Sequence, residues 1–183
     1  TIIWGGYFPT QHYDIVLKED YVDYVVRGHG ELVFAALVDL LLHGGQPGDM
    51  PGVAYRDSQS EIVANLPAPI PHPDKLPEFP YHHLDLGRYI RPTFMGHRTL
   101  PHHSSYGCPF FCNFCAVVNM VNGRWLPQSA ERTANTVRHL VQTWDLDAVE
   151  FYDNNFFTHE ARVAEFSERI MDLSISWWGE GRI

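Results

Sequence analysis

The chain has 183 residues, enough for one medium domain or for parts of two. Hydrophobic residues make up 45% of it and aromatics 14%, which places it among globular sequences able to bury a core. Its formal net charge is −9 with no run of Lys or Arg, which argues against a nucleic-acid groove. No apolar stretch approaches the roughly 20 residues of a membrane span, and no stretch has the pattern of a signal peptide. Three cysteines within eight positions do not make a secreted disulfide framework, so a reducing, cytoplasmic setting is expected. The chain starts without an initiator Met inside an apolar run and ends at "WWGEGRI". It is expected to be a fragment of a longer protein, cut through domains at both ends.

"TIIWGGYFPT" reads as a buried strand, Ile2 to Trp4, followed by a Gly-Gly turn. "VDYVVRGHGE" predicts a second strand, Tyr24 to Arg27, and a glycine loop. Glu31 opens a helix whose apolar face is Val33, Ala36, Leu37, Leu40 and Leu41; Gly44 and Gly45 stop it. This order suggests the last part of an open α/β sheet. Ligands of such sheets sit at the carboxyl ends of strands, where Gly5, Gly6, Gly28 and Gly30 fall.

Residues 44–98 hold nine of the thirteen prolines. "GVAYRDSQSEIVA" reads as a hairpin turning at Asp57–Ser60. "LPAPIPHPDKLPEFP" cannot be a central strand or a helix. The stretch is expected to be a semi-rigid interdomain linker with a small hairpin in it.

From residue 99 the pattern changes. "TLPHHSSY" is a plausible strand leading into the cysteine loop. Ser129 caps a helix facing inward through Ala134, Val137, Leu140, Val141 and Trp144. "DAVEFYD" is a strand. Thr158 caps a second helix facing inward through Val163, Phe166, Ile170 and Leu173, and "ISWWG" is a third strand. This βαβαβ order predicts a parallel sheet, the opening of a barrel or of a doubly wound fold.

The cysteine loop, "SSYGCPFFCNFC", has the spacing C-x3-C-x2-C at Cys108, Cys112 and Cys115. Thiolates so close in sequence can converge on one inorganic centre, and soft thiolates favour zinc or an iron–sulfur cluster. A structural zinc site takes four protein ligands, so it would need a histidine such as His102 or His103. These sit on adjacent strand positions and point to opposite faces. A ferredoxin-type cluster uses four cysteines. Three ligands on a four-iron cube leave one iron open, as a catalytic site requires. Phe110, Phe111 and Phe114 would limit water access, and Gly107 and Pro109 shape a tight turn off the strand. A zinc knuckle and three unligated core cysteines are the structural alternatives.

CxxxCxxC with an aromatic before the last Cys, at the end of the first strand of a βα series, resembles the radical S-adenosylmethionine superfamily. "GGYFPT", then "VDYVVRGHGE", then a Pro-rich linker is similar to the end of the cobalamin-binding domain in its cobalamin-dependent members. The resemblance implies a C-terminal part of a Rossmann-like cobalamin-binding domain over 1–43, a linker over 44–98, and the first βα units of a partial (β/α) barrel over 99–183. It implies a [4Fe–4S] cluster on Cys108, Cys112 and Cys115, with the open iron chelating S-adenosylmethionine. Phe114 fits the position whose backbone contacts the adenine. Asp153 and Asn154 are candidate acceptors for the methionine amino group. Glu180 and Arg182, at the end of the third strand, are further candidates, Arg182 as a bidentate donor to a carboxylate. Gly5, Gly6, Gly28, Gly30 and Glu31 would meet the nucleotide tail of cobalamin. Simple packing, loop capping, a strand–helix salt bridge and plain turn glycines are the structural alternatives for these residues. Arg124 is more simply read as a solvated loop residue.

Two positions depart from the family pattern. Tyr106 stands in Ser105-Tyr106-Gly107-Cys108 where an Arg is usual, and His29 stands where the glycine turn usually has Glu. The activity implied is reductive cleavage of S-adenosylmethionine, with cobalamin-assisted methyl transfer to an unactivated carbon of a small-molecule or lipid-like substrate. A flavodoxin- or ferredoxin-type donor would supply the electron. The alternatives are an anaerobic oxidative cyclase or a methylthiotransferase of the same superfamily, and a non-catalytic zinc or electron-transfer module.

Overall fold

The computed structural model describes residues 1–182; Ile183, the last residue of the expected barrel portion, lies outside the described residues. The chain is a mixed α/β structure that divides into two compact units. One comprises Thr1–Pro71 with Asn119–Val121, and the other the remaining described residues.

In the first unit, β1 (Ile3–Gly5), α1 (Tyr7–Gln11), α2 (Tyr13–Val16), β2 (Tyr24–Val26) and α3 (Glu31–Leu42) precede a hairpin of β3 (Val53–Arg56) and β4 (Ile62–Ala64). The sheet order is β1-β2-β3-β4, with β1 and β2 parallel and the other pairs antiparallel. The hairpin turns where expected: Asp57 Oδ1 accepts from the Gln59 and Glu61 amides, and Ser60 takes φ 65°. Its setting differs from expectation. It extends the first sheet through Tyr24↔Tyr55 and Val26↔Val53, so this part of 44–98 is no linker. Val53 and Ala54 are fully buried.

The first strand is also less buried than expected. Ile2 is 48% exposed and Trp4 40%, because β1 lies at the sheet edge. Of the face expected on α3, Leu37 is buried and Val33 and Leu41 pack beside it on Val26 and Val53, whereas Ala36 faces solvent.

In the second unit, residues 72–98 make three single turns of 3-10 helix, at Pro73–Lys75, Tyr81–His83 and Leu86–Arg88. They pack on the second core through Leu86, Tyr81 and Ile90. Then come β5 (Thr99–His102), β6 (Ser105–Gly107), α4 (Val117–Val121, of which Asn119–Val121 belong to the first unit), β7 (Trp125–Pro127), α5 (Ala130–Trp144), β8 (Ala148–Phe151), α6 (Glu160–Ile170) and β9 (Ser176–Gly179). Strands β5, β8 and β9 form an all-parallel sheet in sequence order, with Leu100↔Val149 and Val149↔Trp177 in register. This is the predicted βαβαβ series.

Helices α5 and α6 cover one face of that sheet. Val137 and Leu140 of α5 and Phe166 of α6, all 0% exposed, meet Leu100, Val149 and Phe151. Ser129 caps α5 as predicted, its Oγ accepting from the Arg132 amide at 3.2 Å. The cap of α6 lies one residue beyond the expected Thr158: His159 Nδ1 accepts from the Arg162 amide at 3.1 Å, while Thr158 Oγ1 donates to the Asn155 carbonyl. Among the described residues, no helix is long and apolar enough to cross a membrane.

Candidate functional site

The strand expected across "TLPHHSSY" is broken. β5 ends at His102, the chain turns a corner at His103 and Ser104, and β6 leaves the parallel sheet to pair antiparallel with β7. The corner is held by a buried polar network. Asp153, just past the end of β8, is 1% exposed. Its Oδ1 accepts from the Ser104 amide at 2.6 Å, and its Oδ2 accepts from the Ser104 and Ser105 hydroxyls at 2.7 and 2.6 Å.

Arg162, near the start of α6, completes the network. Its Nη2 donates to Ser104 Oγ at 2.8 Å and its Nε to the Gln128 carbonyl at 2.8 Å. The Ser104 hydroxyl therefore sits between guanidinium and carboxylate, accepting from one and donating to the other. Burial lowers the pKa of Arg162, and the Asp153 charge opposes that shift. Asp153 was expected to face the cofactor; the structure turns it inward, with both oxygens engaged at the corner.

Beyond the corner, Gly107 takes φ +80°, a left-handed conformation that suits glycine and turns the chain off β6. The cysteine loop follows. Cys108, Cys112 and Cys115 are free thiols of intermediate burial, and the Cys115 amide donates to the Cys112 carbonyl at 3.0 Å in a tight turn. Among the described residues, no three His, Cys, Asp or Glu side chains stand close enough to hold a metal ion.

The aromatic residues around the thiols are open rather than walled in. Phe114 is 92% exposed and Phe111 64% exposed. The Arg182 guanidinium lies 4.4 Å from the Phe110 ring centroid, a cation–π contact onto the loop. Glu180 and Arg182 were expected on the third strand. β9 ends at Gly179, so both lie past it, exposed, and the Glu180 carbonyl accepts from the Phe156 amide at 2.8 Å. Asn154 is exposed beside the buried Asp153. Thus Asn154, Glu180 and Arg182 follow the carboxyl ends of the parallel strands, on the same unit as the thiols.

His102 and His103 part company as predicted. His102 is buried on the helix-covered face, its Nδ1 2.7 Å from the Tyr81 hydroxyl. Burial holds its pKa down at about 4 and raises that of Tyr81 to about 12. His103 packs edge-on to Tyr106 at 5.8 Å.

In the first unit the glycine turns close the ends of adjacent parallel strands, Gly5 opposite Val26. Gly6 and Gly28 have φ +103° and +81°, with open space where a Cβ would point. The Gly28 amide donates to Thr10 Oγ1 at 2.9 Å. Gly30 immediately precedes α3, and Glu31 is its first residue, 4.0 Å from the His29 ring.

Two groups escaped the sequence reading. The Ser104–Ser105–Arg162 network has no local signature. The second group lies on the sheet face opposite the helices, where Arg91 Nη2 reaches Glu150 Oε2 at 3.1 Å and the Tyr152 hydroxyl at 2.8 Å. Trp178 stands directly across from Glu150. The alternation of Glu150 and Tyr152 with buried Val149 and Phe151 was the available signal.

No protein-family profile matches the chain. It is 30% identical, over 96% of its length, to the anaerobic magnesium-protoporphyrin IX monomethyl ester cyclase of Synechocystis, spanning 34% of that protein. It is 30% identical, over its full length, to an uncharacterized methyltransferase of Pyrococcus horikoshii, spanning 40% of it. The chain thus corresponds to little more than a third of these relatives. Among solved structures it resembles the cobalamin-dependent S-adenosylmethionine radical enzyme OxsB, at TM-score 0.73 and 17% identity over 96% of this chain and 25% of that one. It also resembles the radical S-adenosylmethionine methyltransferase TsrM of Kitasatospora setae, at TM-score 0.61 and 15% identity over 93% of this chain and 33% of that one. In sequence, then, the chain is similar to part of a cyclase and part of a methyltransferase, and in fold it is similar to part of two S-adenosylmethionine radical enzymes.

Proposed function

We propose that this chain is the cofactor-holding part of a cobalamin-dependent radical S-adenosylmethionine enzyme. The first unit is read as the end of a Rossmann-like cobalamin domain and the second as the opening of a (β/α) barrel. The observation that carries the reading is the position of the three free thiols, on one short loop at the head of a parallel βα series. The donor set suits a [4Fe–4S] cluster on Cys108, Cys112 and Cys115, because three soft ligands leave one position open. That cluster, when bound, would supply the electron for reductive cleavage of S-adenosylmethionine, and cobalamin would supply or accept the methyl group.

The chain's own residues position and shield. Asn154 and Glu180 are read as acceptors for the methionine amino group, and Arg182 as the partner of its carboxylate, a reading supported by the contact of Arg182 with Phe110 on the thiol loop. Asp153 acts on the loop rather than on the ligand. Phe114 is available to lie beside the adenine, where it would exclude water. The open turns at Gly6 and Gly28, with Gly5, Gly30 and Glu31 beside them, suit close approach of a nucleotide tail. A small-molecule or lipid-like substrate, a flavodoxin- or ferredoxin-type electron donor and a cytoplasmic setting complete the proposal. Methyl transfer and oxidative cyclisation both remain within it, since a methyltransferase and a cyclase are relatives at equal identity.

The test uses anaerobically purified full-length protein. About four irons with matching sulfide are expected, and reducing conditions should release 5′-deoxyadenosine from S-adenosylmethionine. Cys112→Ala should abolish both. One zinc per chain, or an intact cluster that yields no 5′-deoxyadenosine, would overturn the reading. S-adenosylhomocysteine alongside 5′-deoxyadenosine selects methyl transfer; 5′-deoxyadenosine alone selects cyclisation.

A further inference from the structure

We infer that Asp153 is a positioning residue for the cysteine loop: through Ser104 and Ser105 it fixes the corner from which β6 carries Cys108, with Arg162 locking the same corner from α6. The role of this loop rests on the function proposed above; the corner itself does not.

Three observations converge on it. First, Asp153, Ser104 and Ser105 are each 1% exposed, so no solvent replaces the bonds between them. Both Asp153 oxygens are engaged, one by a main-chain amide and the other by two hydroxyls, all at 2.6–2.7 Å. Charge-assisted bonds of this length are the strong ones. Second, the bonds fall where the chain changes sheets. His102 is the last residue paired with β8, and Ser105 is the first paired with β7. A strand that leaves its sheet loses its ladder, and Ser104 lies in neither strand. Its amide is satisfied by Asp153, and its carbonyl accepts from the Gln128 amide at 2.8 Å. Third, the network draws on every neighbouring element. Asp153 follows β8, Gln128 follows β7, Arg162 lies in α6, and Thr133 of α5 accepts from Arg162 at 3.3 Å. The direction in which β6 leaves is thereby set by the same helices that cover the sheet. Only Tyr106 and Gly107 separate the held corner from Cys108, and both are paired in the β6–β7 ladder, Tyr106 with Leu126 and Gly107 with Trp125.

Hydrogen exchange on metal-free full-length protein tests this without any cofactor. In the wild type the Ser104 amide should be protected. Asp153→Ala should raise exchange across Ser104–Gly107 by about tenfold or more, leaving the α5 and α6 peptides as they were. Asp153→Asn, which keeps one acceptor, should restore part of that protection. After cluster reconstitution, Asp153→Ala and Ser104→Ala should both alter the electron paramagnetic resonance spectrum of the reduced cluster before any S-adenosylmethionine is added. The inference is overturned if Asp153→Ala leaves corner exchange and spectrum unchanged and only raises the S-adenosylmethionine needed for half-maximal effect, since Asp153 would then be a ligand contact. It is equally overturned if exchange rises uniformly through α5 and α6. Should Asp153→Ala fail to fold, Ser105→Ala, which removes one of the three bonds, carries the same comparison. A wild-type protein that takes up no iron–sulfur cluster refutes the proposed function, while the exchange measurements still judge Asp153.

Discussion

His102 shows how a residue that the sequence offers as a metal ligand can be spent on the fold. It ends β5 on the face covered by helices, against Phe151, and its Nδ1 meets the Tyr81 hydroxyl. Tyr81, with its pKa pushed up to about 12, stays protonated, and its hydroxyl shares a 2.7 Å hydrogen bond with Nδ1 whose direction follows the imidazole tautomer. Burial lowers the His102 pKa from 6.5 to about 4. The unfolded chain therefore binds a proton more readily than the folded one between these values, and stability must fall as pH drops through that window. From about pH 7.5 to pH 5, the loss from this one residue is roughly 2 kcal/mol. Urea unfolding of metal-free protein at the two pH values should show it. His102→Gln, though less stable throughout, should have a smaller pH-dependent loss by about that amount. Equal losses in both proteins would mean that His102 is already protonated in the fold or is not buried as described.

Among the elements, what was legible followed local pattern, and what was missed depended on distant pairing. Ala134, Val137 and Leu140 recur at helical spacing on α5, and all three are buried. Ser129 was readable as a cap because capping involves only the next three residues. The hairpin at 53–64 was readable for the same reason, since its turn is made by Asp57 within it. Its place in the sheet was not, because the partner strand, Tyr24–Val26, lies beyond a helix and a long loop. The prolines that suggested a linker lie outside the paired residues. This difference can be measured. Val53, 0% exposed between β2 and α3, should cost about 2 kcal/mol when changed to Ala. In a detached linker hairpin the same change would stay within about 0.5 kcal/mol. Urea unfolding followed by a probe in the first unit distinguishes the two.

In the molecule as a whole, the three cysteines and the parallel series behind them were visible in sequence, because short spacing and strand–helix order are both linear features. The polar face of the parallel sheet was not, since it is assembled across strands by register. Parallel sheets are ordinarily covered on both faces. Here α5 and α6 cover one, and the other carries Glu150, Tyr152 and Trp178 with Arg91 bonded to the first two. Tyr152 is 50% exposed and Trp178 37%. These are not core residues waiting for a helix: an ion pair and two half-open aromatics make a polar rim and a stacking surface. The thiol loop follows β6, which leaves the parallel sheet after β5. If the face takes the substrate, Trp178→Ala in full-length enzyme should leave iron content and substrate-free 5′-deoxyadenosine formation at wild-type levels. The share of cleaved S-adenosylmethionine that ends in product should fall by about tenfold, the loss of one aromatic stacking contact. Glu150→Gln, which breaks the pair with Arg91 while keeping its shape, should move the same ratio in the same direction. Unchanged coupling in both variants would place the substrate elsewhere. A loss of iron in either would show that this face supports the cluster loop instead.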